Sequence, residues 1–246
     1  MAFKLFSKKN SSKREVTRHT VKSSASKAGE HRVVSKERRV ETAKLADEKA
    51  YEIARRFKIP VAETFFVRNQ AELETALKKV GFPCVMKISG DVVHKTEVGG
   101  VETNINDRVK ATETFNRFIK TKGVGKVIVQ RQMSGTELIV GSKKDSQFGY
   151  VIAAGLGGIF VETLKDVVFR VCPISLQDAE EMVRELKGFE ILKGVRGMKP
   201  INFPSLYETL TKVSRLTISE KIKELDINPL FCDENGCFAA DIRIVK

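Results

Sequence analysis

The chain has 246 residues, 41% of them hydrophobic and 30% charged, with a net charge of +13. It is long enough for one large domain or two lobes around a real core, and no apolar run reaches the roughly 18 residues that cross a bilayer. The N-terminus lacks the apolar centre of a secretory signal, so a cytoplasmic protein is expected.

Residues 1–40 hold 12 Lys+Arg against 3 acids, a net +9, which leaves 32 against 28, a net +4, for the remainder. This basic, Ser-rich stretch has no apolar periodicity and is expected to be a disordered tail. Counterion release would let it touch RNA or acidic lipid, but a solvated extension is the better reading. The near-neutral remainder argues against a protein built to bind nucleic acid. The folded part begins at Glu41, where Ala46, Ala50, Ile53, Ala54 and Phe57 fall at helical spacing until Lys58-Ile59-Pro60 stops the helix.

Val61–Val67 reads as a strand, and Asn69 as the cap of a helix whose stripe is Leu73, Ala76, Leu77 and Val80, closed by Gly81. In the next strand, Phe82–Ile88, alternation sets Val85 and Lys87 on one face and Met86 and Ile88 on the other. A lysine inside an apolar strand needs an anion: a carboxylate of the fold or, the favoured reading, a ligand phosphate. Gly90–Val101 is a loop holding His94, the one histidine after Glu41. Beside Lys95 and between glycines it is a candidate phosphoryl carrier, although most solitary histidines are inert. A helix follows Asp107 with Ala111, Phe115, Phe118 and Ile119 inward, then come strands Lys126–Gln132 and Thr136–Ser142. Their junction, Gln130–Gly135, reads as an inter-lobe hinge or as a plain turn.

In Gly149–Arg170 an apolar strand, Val151–Ala154, breaks at Gly155, Gly157 and Gly158, and Glu162, Lys165, Asp166 and Arg170 follow. Without Cβ atoms a ligand can approach the backbone, and free N–H groups there suit a phosphate; a glycine-rich hairpin turn fits the same residues equally well. The pattern matches neither G-x-G-x-x-G nor the P-loop. Val167–Val171 is a strand, Ser175 and Asp178 open a helix, the basic glycine-rich Gly188–Pro200 follows, and Leu206, Leu210 and Val213 mark the last helix. Finally Ile222–Cys232 and Cys237–Val245 flank DENG, whose Asn235-Gly236 is a strong hairpin signal. Folding about it brings Asn228 and Asp241 within a residue or two of register, with Asp226 and Arg243 on the same faces. Hard oxygens so gathered suit Mg²⁺ held largely through phosphates and water. Cys84, Cys172, Cys232 and Cys237 are scattered, and buried free thiols are expected in preference to disulfides or a metal cluster.

The ordered set FPCVMKI, HKTEVGGV, VQRQM, GTELIVG, DSQFG, AAGLGGIFVE, DVVFR, ILKGVRG and LDINPL resembles the ATP-grasp β subunit of ADP-forming acyl-CoA synthetases, acetate–CoA ligase in particular, over residues 41–246. The resemblance implies an α+β ATP-grasp fold with lobes at 41–130 and 131–246 that close on a nucleotide. It also implies a reaction in which acyl-CoA, ADP and phosphate interconvert with free acid, CoA and ATP. The family works as a complex, expected to be α2β2, whose α subunit binds CoA and carries a phosphorylated histidine. On that reading the cofactors are ATP/ADP and Mg²⁺, and Lys87 and Arg170 neutralise phosphates. Gln130, Gln132, Met133, Glu137, Gly157, Gly158 and Glu162 line the nucleotide site, while Asn228, Asp241 and Asp226 hold the metal. His94 matches a second phosphoryl carrier on the β side. The tail falls outside the family pattern, and Gln130-Arg131-Gln132 stands where an acidic residue is often found, which bears on adenine against guanine. The rival within the fold is a ligase joining a carboxylate to an amine through an acyl phosphate; it needs neither His94 nor a second subunit.

Overall fold

The computed structural model describes residues 44–90, 99–158, 166–195 and 199–246, and its strands form two sheets with a core apiece. The tail, His94, Glu162, Lys165 and Arg196 lie outside the described residues. The first helix, α1 (Asp47–Arg56), is followed by β1 (Thr64–Val67), α2 (Gln70–Val80), β2 (Cys84–Gly90), β3 (Val101–Ile105), α3 (Arg108–Ile119) and β4 (Val124–Arg131). The four strands pair antiparallel in the order β1-β4-β2-β3.

Both helices over this sheet start where a side chain replaces a missing backbone acceptor: Asn69 accepts from Glu72 N at 2.9 Å, and Asp107 from Lys110 N at 2.8 Å. Their stripes meet Cys84, Met86, Ile88, Val127 and Val129, so the two-residue period of β2 turns Val85 and Lys87 to the opposite face. β3 is a strand that Val101–Ile105 does not announce. Its residues before Ile105 are exposed or half-buried, and pairing with β2 holds it at the sheet edge.

The second sheet contains β5 (Thr136–Asp145), β6 (Gly149–Leu156), β7 (Val167–Val171), β8 (Glu224–Cys232), β9 (Cys237–Ala239) and β10 (Ile242–Val245). Its order is β10-β8-β5-β6-β7, with β9 also on β8, and every pair is antiparallel. Helices α4 (Leu176–Arg184), α5 (Phe189–Leu192) and α6 (Phe203–Ser219) join its core. Ser175 and Asp178 form the capping box at the start of α4. Antiparallel sheets with their helices packed on a face make this an α+β fold.

Although α1 comes first in the chain, its Ala50, Tyr51, Ile53 and Ala54 pack in the core of the second sheet. The link back to the first sheet is backbone: Ala62 N–H donates to Ala239 O at 3.0 Å, and Ala239 N–H to Pro60 O at 2.9 Å. The strand expected from Val61 therefore begins as a bridge to β9 and joins the first sheet only at Thr64.

The expectation of four free thiols is corrected by the hairpin. Cys232 and Cys237 are directly opposed on β8 and β9 and form a disulfide, while Cys84 and Cys172 remain free. A separation of five residues says nothing until the turn puts the two Cα atoms 4.1 Å apart. Burial pushes the Cys84 thiol up to about 11, which leaves roughly a thousandth of it as reactive thiolate at pH 8. Alkylation in denaturant without reductant is therefore expected to label two cysteines per chain and not four, and Cys84 is expected to stay unlabelled in the native protein at pH 8; mass spectrometry of the peptides checks both.

Candidate functional site

The face of β2 turned toward the second sheet carries Lys87, which is only 7% exposed. Its Nζ donates to the Ala240 carbonyl at 2.8 Å and to Gln130 Oε1 at 2.9 Å. Gln130 lies on the neighbouring strand β4, opposite Val85 and Thr64, and is 1% exposed. Its Nε2 donates to Thr64 Oγ1 at 2.8 Å and to the same Ala240 carbonyl at 3.0 Å. From α1 the Tyr51 hydroxyl reaches that oxygen too, at 2.6 Å. One carbonyl oxygen between the sheets thus gathers donors from α1, β2 and β4, one more than its two lone pairs. Burial, and then the negative charge of Asp241, raise the Tyr51 phenol well above its ordinary value, so it remains a donor.

Asp241 is the residue after Ala240, and its own carbonyl accepts from Asn228 N at 3.2 Å. This continues the register set by Ile242 opposite Ile227 and Cys232 opposite Cys237, so Asn228 and Asp241 are cross-strand neighbours on one face. Asp226 stands opposite Arg243, and burial raises its carboxyl, with Asp241 and Glu224 pushing the same way. Carboxylate oxygens with an amide oxygen beside them are the kind of hard donors that a small cation takes. Among the described residues no set of three His, Cys, Asp or Glu side chains forms a complete cage. The donors present fit Mg²⁺, which keeps several waters and takes phosphate oxygens.

The connection from β4 to β5 is shorter than expected. Gln130 and Arg131 belong to β4, leaving Gln132 to Gly135 between the two strands. Gln132 pairs reciprocally with Asn104: its Nε2 donates to Oδ1 at 2.6 Å, and its Oε1 accepts the Asn104 N–H at 2.6 Å. Met133 is half-buried between them and Gly135, where a Cβ would come within 2.5 Å of Cys232 O. Glu137 opens β5 at the same end of the sheet, with Gly158 beyond it.

Three expectations are revised. Gly157 does not present a free amide: its N–H donates to Glu137 O at 2.6 Å, and a Cβ would meet that oxygen at 2.9 Å. Glycine is there for close packing of β6 on β5, while Gly158, at φ 60°, turns the chain out. Asp166 is buried and spends its carboxylate on Lys187 N at 2.9 Å and Gly188 N at 2.8 Å.

Arg170 is not brought together with Lys87. It pairs across β7 and β6 with Ile152, whose row continues to Ser142 and Leu225, and Ser142 bonds Thr217 of α6 at 2.6 Å. That row is the helix-covered face, where Arg170 ion-pairs with Glu185. β7 also lies three strands from β8, roughly 14 Å at the usual spacing. The residues that the structure does gather, Tyr51, Thr64 and the Ala240 carbonyl among them, escape sequence reading because a backbone oxygen carries no residue signature. Tyr51 alone left a trace, as a hydroxyl on an apolar helix that must find a partner.

Two antiparallel sheets meeting over a buried lysine, with an acidic hairpin opposite, are the architecture of an ATP-grasp domain; the family model of that name matches residues 35–245, and the chain belongs to this family. Within it, the chain stands with the β subunits of ADP-forming acetate–CoA ligases. It is 41% identical over 224 residues, 87% of this chain and 97% of the relative, to the β subunit of ADP-forming acetate–CoA ligase I of Pyrococcus furiosus. Among solved structures it resembles the dinucleotide forming acetyl-coenzyme A synthetase 1 of Ca. Korarchaeum cryptofilum in complex with coenzyme A, Ca-AMPCP and HgCl+. The TM-score is 0.77 at 34% identity, covering 82% of this chain and 93% of that chain. Another structure of that enzyme, with coenzyme A and Mg-AMPPCP and its phosphohistidine segment pointing towards the nucleotide binding site, matches with a TM-score of 0.73 at 34% identity over 82% and 92% of the two chains.

The buried oxygen cluster yields a stability test. Tyr51→Phe removes the shortest of the three bonds to Ala240 O and is expected to cost about 1–2 kcal/mol, measured by urea unfolding. A cost near zero would show that Lys87 and Gln130 already saturate the carbonyl.

Proposed function

We propose that this chain is the nucleotide-binding subunit of an ADP-forming acyl-CoA synthetase, active with a CoA-binding α subunit. The observation that carries the reading is the convergence of Lys87 on Ala240, next to the opposed pair Asn228 and Asp241, within a chain of this family. Lys87 binds a phosphate of ADP or ATP, and Asn228 and Asp241, helped by Asp226, hold Mg²⁺. When bound, the metal neutralises phosphate charge as the phosphoryl group transfers. Gln132, Met133 and Glu137 border the nucleotide between β4 and β5, and Gly158 and Glu162 complete its surroundings.

The carrier is His94. It lies in the sequence between Gly90 and Gly99; the Gly100 carbonyl accepts from Ile88 N at 2.9 Å, and Val101 is paired with Lys87. The described residues on either side of His94 are therefore held beside the proposed phosphate lysine. A neutral imidazole nitrogen is a competent nucleophile. His94 attacks the phosphorus held on the α-subunit histidine; the old P–N bond breaks as the new one forms. A terminal phosphate oxygen of ADP then attacks His94-bound phosphorus, the P–N bond breaks, ATP leaves and the imidazole returns neutral.

Co-expression with an α subunit and assay of acetyl-CoA- and phosphate-dependent ATP formation tests this. His94→Ala is expected to abolish ATP formation while ADP binding stays within about twofold and the α-subunit histidine is still phosphorylated. Normal ATP formation by that variant would sink the relay. Asp241→Asn is expected to weaken Mg²⁺-dependent nucleotide binding at least about tenfold, or 1.4 kcal/mol. Unchanged Mg²⁺ dependence would remove Asp241 from the metal site.

A further inference from the structure

β3 pairs with β2 through a break in register: Cys84 faces Ile105 and Met86 faces Glu102, so Thr103 and Asn104 stand where β2 has only Val85. The extra residue makes a β-bulge, and a bulge turns a side chain out of the row that plain alternation would give it. Asn104 takes the left-handed conformation there, at φ 54°, which asparagine tolerates better than most residues other than glycine. Its two polar groups then aim at one target. The Asn104 N–H donates to Gln132 Oε1, and Asn104 Oδ1 accepts from Gln132 Nε2, both at 2.6 Å. Because a backbone N–H can only donate, the Gln132 amide has a single orientation in this pair. The Gln132 N–H reaches Pro83 O at 3.4 Å, so three bonds hold the first residue after β4. At the other end of the connection Thr136 pairs with Cys232, and a Cβ on Gly135 would come within 2.5 Å of Cys232 O, which ties that end to the second sheet.

We propose that Asn104 is a positioning residue for the base of the nucleotide: from its bulge in β3 it clasps Gln132 and fixes the start of the connection from β4 to β5. This rests on the reading of Gln132 and Met133 as neighbours of the nucleotide. A loose connection from Gln132 to Gly135 would have to be ordered as the base arrived, and the affinity would be lowered by that entropy. Fastened at both ends, it meets the base already in place. Lys87 and the Asn228 and Asp241 pair lie outside the bulge and the connection, so phosphate binding does not draw on the clasp.

The test uses the full chain and two probes, ADP and tripolyphosphate, each with Mg²⁺ and measured by calorimetry; the second has phosphates and no base. Asn104 is exposed, so substitution there disturbs no core, and the melting temperature is recorded in parallel. Asn104→Gly keeps the backbone N–H and suits the left-handed φ but removes the acceptor, while Asn104→Asp keeps both partners of Gln132. The expected result for Asn104→Gly is about a fivefold loss of ADP affinity, the size of one neutral hydrogen bond, with tripolyphosphate affinity unchanged. Asn104→Asp is expected to keep the parent ratio of the two affinities within about twofold, since both bonds survive and tripolyphosphate reports any effect of the added charge. Equal weakening of both probes by Asn104→Gly would mean that the clasp serves the fold alone, and unchanged ADP affinity would equally overturn the proposal. A change of ratio in Asn104→Asp as large as in Asn104→Gly would do the same, because the bonds to Gln132 would not be its cause. Met133→Ala separates the two levels. If it binds ADP like the parent chain, the connection does not border the base and the underlying reading fails; if it weakens ADP alone while Asn104→Gly does not, only the positioning role fails.

Discussion

A single backbone oxygen, that of Ala240, is the constraint on which the architecture turns. It lies opposite Pro229, whose carbonyl takes the Ala240 N–H but which has no N–H to give back, so the Ala240 oxygen can accept from elsewhere. Tyr51, Lys87 and Gln130 all aim at it. Each belongs to a different element, and two of the three come from the other sheet. Buried donors must find acceptors, and a buried ammonium needs strong ones. The relative placement of the sheets follows from satisfying those groups as much as from apolar packing.

The same principle explains why charges close in sequence part company in space. Arg170 and Asp166 flank the glycine stretch, yet one turns to Glu185 on the helix side and the other is consumed by the amides of Lys187 and Gly188. Alternation along β7 decides the first, and the need of the turn before α5 for an acceptor decides the second. Conversely, Lys87 and Asp241 are 154 residues apart in the chain and share a neighbour. A phosphoryl-transfer site asks for fixed positive charge and fixed oxygens near one another, and the proposed roles of Lys87 and Asp241 draw on that proximity.

Most of the elements were legible in the amino-acid order. The caps at Asn69, Asp107 and Ser175, the stripes of α2 and α4, the strand Val167–Val171 and the hairpin about Asn235-Gly236 follow from spacing and turn chemistry, which act over a few residues. The closeness of Asn228 and Asp241 was readable to within a residue or two for the same reason, while their direct opposition follows from the observed register, in which Asp233 faces Gly236 and Cys232 faces Cys237. β3 was not readable, because an edge strand with exposed side chains shows no apolar alternation.

The sequence by itself determined that Lys87 would be buried on the face of β2 opposite Met86 and Ile88, because a strand alternates and those neighbours are apolar. It determined the family through the order and spacing of its motifs. Only the tertiary structure decided what Lys87 meets, that Gln130 is an interior amide and not a rim contact, that Gly157 is a packing residue, and that Cys232 and Cys237 are joined. These depend on which backbone and side-chain groups are brought opposite one another by distant segments. Local propensity has no access to that, because the acceptor at Ala240 is a peptide carbonyl that every residue possesses, and only the meeting of two sheets singles it out.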